Sequence, residues 1–299
     1  MSEPTELERI EAALAGPDVA ALADGLSRLL AESGRAASVH AALRQARRRY
    51  ATQPATLFAL GCALAERDEQ LAKGLAAVLL GELYAGHEEI VRDVLLRLAD
   101  DGDWVVREYA ASGLGGVLDA HFDAAYPWIA AWTRHPSENI RRAAALATMP
   151  AGRGDDAERA ARCLNLLEPL LTDRNVYVRK NLGPFALGAA LLVRHPDVTF
   201  AALARWRDRY DDEQARWNLA MACAASGGTR WPERALAFLH TLADDPRPYV
   251  WRAVASALIN LGRKQPDVAL PEIRRWLADP ARRHVAERAL ATISPTPDP

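Results

Sequence analysis

An arginine returns at the seventh position of six alignable segments, and nothing else in the chain constrains its fold as tightly. The segments are DGDWVVREYAASGL from Asp101, HPSENIRRAAALAT from His135, DRNVYVRKNLGPFA from Asp173, YDDEQARWNLAMAC from Tyr210, PRPYVWRAVASALI from Pro246 and RRHVAERALATI from Arg282. The arginines themselves, Arg107, Arg141, Arg179, Arg216, Arg252 and Arg288, lie 34, 38, 37, 36 and 36 residues apart. Lys73, 34 residues before Arg107, marks a candidate earlier copy. A fixed period of this size means an array of small supersecondary units, each unable to bury its apolar face without its neighbours.

The unit is helical. Alanine and leucine recur at three- and four-residue spacings, and sustained alternation of β-branched with polar residues is almost absent. Breaks fall at regular places: Gly16-Pro17-Asp18, Asp100-Asp101-Gly102-Asp103, His135-Pro136-Ser137, Asp173-Arg174-Asn175, His195-Pro196-Asp197, Asp244-Asp245-Pro246 and Asp279-Pro280. Each sets a capping residue or a helix-starting proline before an apolar periodic segment. The expectation is an all-α chain, a right-handed α-solenoid of helical hairpins with a period of about 36 residues, at least five hairpins long. One helix of each hairpin would line a concave inner surface. Residues 1–70 read as a helical capping region, 71–292 as the repeat array and 293–299 as a disordered tail. Gly113, Gly115 and Gly116 follow no strand, so they are no dinucleotide fingerprint; they let helices approach or introduce a kink. Gly183-Pro184 should bend its helix or end it early.

Half of the 299 residues are hydrophobic and a quarter charged, an ordinary globular balance. The formal net charge of −2 excludes a wholly basic surface, so nucleic-acid binding would require basic residues gathered on one face. Cys62, Cys163 and Cys223 stand alone in apolar helical contexts and read as small hydrophobes in a reducing compartment. The acidic, amphipathic start is no signal peptide, and Leu75 to Leu80 is too short to span a membrane, so a cytoplasmic location is expected. The scattered histidines and the lack of metal-binding motifs imply neither metal nor cofactor.

The arginine column admits two readings. Guanidinium groups grip phosphates. Alternatively, in the general HEAT-repeat pattern that this spacing resembles, an aspartate six residues ahead, as in Asp101 before Arg107 and Asp173 before Arg179, joins the arginine in a ladder between repeats. Arg141, Arg216, Arg252 and Arg288 would extend that ladder. The following residue turns away by 100°, and here the copies differ: Glu108, Arg142, Lys180, Trp217, Ala253 and Ala289. Trp104 and Glu108, four apart, share a helix face beside Tyr109, an aromatic wall at a carboxylate that suits a cationic group or a stacked base, or else simple packing. Trp128, Trp132, Trp206 and Trp276 read as core or inter-repeat packing.

Three pieces carry a family resemblance: HPSENIRR at 135–142, LLEPLLTDRNVYVRKNL at 166–182, and HPDV at 195–198 leading to Arg205-Trp206. A second version of the design, YVWRAVASALINLGRKQPDVALPEIRRW, runs over 249–276. Across about 100–290 the chain resembles the bacterial DNA alkylation-repair glycosylases built from HEAT-like repeats (AlkC/AlkD-like). The resemblance implies a concave cationic groove on duplex DNA, with Arg142, Arg179 and Lys180 at phosphates and Trp217 on the same face. It implies a catalytic cluster of Glu108, Trp104 and Tyr109 stabilising an oxocarbenium-like state if the chain is an enzyme. The competing expectation is a non-enzymatic scaffold whose concave face holds a protein or peptide.

Overall fold

The computed structural model describes residues 4–293, and every regular element among them is helical. The elements are α1 (Glu6–Ala13), α2 (Val19–Ser33), α3 (Ala36–Arg49), α4 (Pro54–Ala65), α5 (Gln70–Glu82), α6 (Glu88–Ala99), α7 (Trp104–Ala120), α8 (Phe122–Trp132), α9 (Glu138–Ala151) and α10 (Ala157–Leu167). They continue with α11 (Val176–Asn181), α12 (Leu192–Arg194), α13 (Pro196–Arg209), α14 (Glu213–Ala224), α15 (Ser226–Arg230), α16 (Pro232–His240), α17 (Pro248–Lys264), α18 (Pro266–Trp276) and α19 (Arg283–Ile293). This is the all-α, hairpin-repeat solenoid class. Ile293 closes α19, and the rest of the expected tail, 294–299, lies outside the described residues.

Helices start as the breaks require. Side chains of Asp18, Asp103, Ser137, Asp156, Asn175 and Asp212 accept N–H groups of the first turns that have no intrahelical partner. Proline opens α4, α13, α16, α17 and α18, where its missing N–H removes no helical bond. Ahead of Gly183-Pro184 the α-helix ends early, at Asn181, and the chain continues as a π-helical stretch over Leu182–Leu191 between α11 and α12, a common way to accommodate a residue that breaks the regular bond ladder.

Two compact units divide at Trp128 and Ile129, within α8. In the first, α5 packs on α4 and α7. In the second, α9, α11 with its π stretch, α14, α17 and α19 lie side by side in sequence order. Small residues let these backbones touch. A Cβ on Gly113 would stand 2.3 Å from the Ala77 carbonyl oxygen, and one on Gly188 would stand 2.4 Å from that of Ala222. Gly116 faces open space, whereas Gly113 makes a close helix approach. The large aromatics serve packing: Trp132, Trp206 and Trp276 are buried, and half-buried Trp128 donates to the Tyr84 hydroxyl at 3.2 Å. Cys163 and Cys223 are buried, Cys62 is half-buried, and all three are free thiols.

Carboxylate–cation contacts run between adjacent repeats, with the cation on the earlier repeat and the carboxylate on the later. Asp101, Asp173 and Asp245 each sit two residues before an N-cap and accept that residue's N–H, at 2.8, 2.9 and 3.0 Å. Each also takes a cation from the repeat before: Lys73 to Asp101 at 2.8 Å, Arg141 to Asp173 at 2.6 Å and Arg216 to Asp245 at 2.8 Å. The arginine's own turn supplies carbonyls instead. Arg107 donates to Asp101 and Gly102 oxygens at 2.7 and 3.0 Å, and Arg141 to His135 and Pro136 oxygens at 2.8 and 2.7 Å. The motif alternates, since the equivalent positions before α9 and α14 hold His135 and Tyr210. Correspondingly, Arg179, Arg252 and Arg288 make no ion pair among the described residues.

Candidate functional site

The residues of the expected catalytic cluster are differently placed. Trp104 is 64% exposed at the start of α7, and Glu108, one turn on, is exposed beside it. Tyr109 has rotated off that face. Its ring lies on Gly74 of α5, where an added Cβ would stand 2.5 Å from Cδ2, and burial pushes its phenol up. Tyr109 is thus taken up in packing.

In the second unit, the position after the column arginine is not one exposed face. Arg142 is only 5% exposed, with its guanidinium 4.4 Å over the Tyr177 ring of the next repeat. The sequence reading expected Arg142 at a phosphate; in the structure a 100° step from Arg141 turns it toward the neighbouring helix, its cation over a ring face. Ala253 and Ala289 are buried as well. Lys180 is exposed, and Trp217 is half-buried.

Arg179 and Trp217 do come together, with partners that the sequence reading did not single out. The Arg179 guanidinium lies 5.8 Å from the Trp217 ring centre and 5.5 Å from that of Tyr249. Its Nη1 donates to Gln214 Oε1 at 3.1 Å and to the Tyr249 hydroxyl at 2.5 Å, while that hydroxyl donates to the same Gln214 oxygen at 3.0 Å. Trp217 and Tyr249 stack, with centroids 5.7 Å apart and planes 12° from parallel. Burial pushes the Tyr249 phenol up, with Arg179 pulling the other way. Three successive repeats, through α11, α14 and α17, therefore share one arginine–aromatic cluster. A signal for Tyr249 existed: it stands three before Arg252, where the other copies hold Trp104, Glu138, Val176, Glu213 and Val285.

Beside this cluster, between α14 and α17, opens a groove of about 590 Å³. Trp217, Met221 and Tyr249 form apolar walls, Ala253 supplies room where a larger residue would fill it, and Glu213 and Arg252 stand at the edges. The two charges are not equivalent. Glu213 is paired with Arg174 at 3.6 Å, an arginine that also holds Asp212 at 2.7 Å. Arg252 is exposed and rests over the Trp251 ring at 5.3 Å. The groove's volume falls within the range of about 300–1,000 Å³ typical of ligand sites. Its lining offers aromatic faces, a thioether, a hydroxyl, a carboxylate and a cation. Among the described residues no three His, Cys, Asp or Glu side chains gather as a metal-holding group, and no helix is long and apolar enough to cross a membrane.

Comparison with known proteins is consistent with this architecture. Residues 91–182, about a third of the chain, match the family model described as HEAT repeats. A curated relative, 26S proteasome non-ATPase regulatory subunit 1 of Caenorhabditis elegans, is 27% identical over 139 residues, 46% of this chain. The alignment spans only 14% of that subunit's length. Among solved structures, the Escherichia coli protein YibA aligns over 99% of both chains with 18% identity and a TM-score of 0.42. A designed armadillo repeat protein in complex with the peptide (KR)4 aligns over 80% of this chain and 99% of its own, at 17% identity and a TM-score of 0.30. Likenesses this distant carry no functional argument.

Proposed function

We propose that this chain is a non-enzymatic helical-repeat scaffold that holds a segment of another protein in the groove between α14 and α17. The observation that carries the reading is the groove itself, an apolar, aromatic-walled trough of about 590 Å³ on a row of repeat helices. Arrays of this kind use such rows as extended binding surfaces. The matched HEAT repeats support the same coarse role.

The charge arrangement speaks against gripping duplex DNA. Backbone binding needs several cations free to replace counterions. Here Arg142 is spent on Tyr177, and Arg174, Arg216 and Arg247 each face aspartates. The test is a selection of random displayed peptides on the immobilised full chain, run beside a duplex-DNA titration at low salt. Enriched peptides should bind the wild type and lose affinity about tenfold or more in Trp217→Ala, the scale of a truncated aromatic anchor. The duplex should show no salt-dependent binding. Peptides indifferent to Trp217→Ala, or tight DNA binding that falls steeply with salt, would refute the proposal.

A further inference from the structure

We infer that the segment held in this groove is acidic: a large apolar side chain lies between Trp217, Met221 and Tyr249, and an adjacent aspartate or glutamate pairs with Arg252. This rests on the peptide-scaffold reading and adds the chemistry of the partner. The argument comes from charge that the fold leaves over. In the paired repeats, a turn aspartate takes the column cation of the repeat before. The alternation breaks that pairing for Arg179, whose guanidinium lies over the Trp217 and Tyr249 rings, and for Arg252, which lines the groove. Arg179 is directed by neutral acceptors, the Gln214 carbonyl and the Tyr249 hydroxyl, which leave its charge uncancelled. Among the described residues the one carboxylate lining the groove, Glu213, faces Arg174. The trough therefore carries a net positive field over an apolar bed, and field and bed together select an acidic, apolar segment. A basic segment would meet Arg252 as a like charge.

The guanidinium of Arg252 is exposed at the rim, so it can be changed without disturbing packing. Random peptides would be selected on the immobilised full chain and, in parallel, on Arg252→Glu. The wild-type pool should enrich aspartate or glutamate beside Leu, Met, Phe or Trp, and the Arg252→Glu pool should exchange the acid for lysine or arginine. An acidic clone should weaken about fivefold in Arg252→Gln, the effect of one partly exposed ion pair, and a matched clone with asparagine or glutamine should not change. A pool rich in apolar residues but without acidic preference, or one whose preference survives Arg252→Glu, overturns this inference. It leaves the groove reading standing as long as binding still depends on Trp217. No enrichment, or enrichment blind to Trp217→Ala, removes both. Charge-dependent retention of duplex DNA by the same groove would replace the acidic peptide with a nucleic acid.

Discussion

Asp245→Ala is expected to lower the unfolding free energy by about 3–5 kcal/mol, the cost of breaking a buried ion pair by removing one partner. The Asp245 carboxylate has no exposed surface. It accepts from Arg216 Nη1 at 2.8 Å, from Arg247 Nε and Nη2 at 2.8 and 2.6 Å, and from the Arg247 N–H at 3.0 Å. Its loss leaves Arg216 and Arg247 only the exposed Asp211 as an acidic partner and leaves a turn N–H without its acceptor. The same contacts set a pH dependence. Burial opposes the charged form, but the bonds from Arg247 and Arg216 outweigh it and hold the carboxyl down at about 2. A depressed carboxyl stabilises the fold above its unfolded pKa of about 4, and the contribution is lost as pH falls toward 2. Its size is about 2 kcal/mol. Urea titrations of wild type between pH 5 and pH 2 should show the fall, and Asp245→Asn should flatten it. Equal pH slopes in the two proteins would show that the carboxylate is not held in this way.

Alanine at two glycines of α7, three residues apart, is expected to act in opposite directions. Gly113→Ala places a methyl 2.3 Å from the Ala77 carbonyl oxygen. Backbone cannot rotate aside, so α5 and α7 must separate, at about 1–3 kcal/mol. Gly116→Ala meets nothing within 4 Å and should stabilise by about 0.5–1 kcal/mol, because alanine loses less backbone entropy in a helix. Thermal unfolding of both variants is a sufficient check. A stabilised Gly113→Ala would mean that the two helices do not approach as closely as described.

These effects also mark what the sequence could reveal. The period, the capping residues and the starting prolines are local chemistry, and they place α9, α11, α13, α14, α17 and α19 of the second unit. Long-range partners are a different matter. The six-residue spacing of Asp101 and Arg107 looked like a pair, yet the carboxylate goes to Lys73, because the turn holds Asp101 toward the preceding repeat. Arg142 and Lys180 occupy one register position, but Tyr177 covers only the former. Trp217 could be singled out because it breaks the uniformity of the position after the column arginine, and Arg179 as a member of that column. Tyr249 stands out only as an aromatic three before its arginine, and neither it nor Gln214 reveals in sequence a meeting 35 residues apart at a single hydroxyl.

The turn aspartates bear on how such a chain grows. Each junction of this kind is divided between two repeats, with the cation on the earlier and the carboxylate on the later. A duplicated pair of repeats would thus arrive with both halves of the connection, one for each new neighbour, and could be inserted or deleted without orphaning a charge. The copies that have given up their half, with Tyr210 where an aspartate would stand, are released from that coupling. It is beside one of these relinquished junctions that Arg179 has become available for Trp217 and Tyr249. Lineages of this chain could therefore lengthen by whole modules while acquiring new surfaces at the joints they leave unfastened.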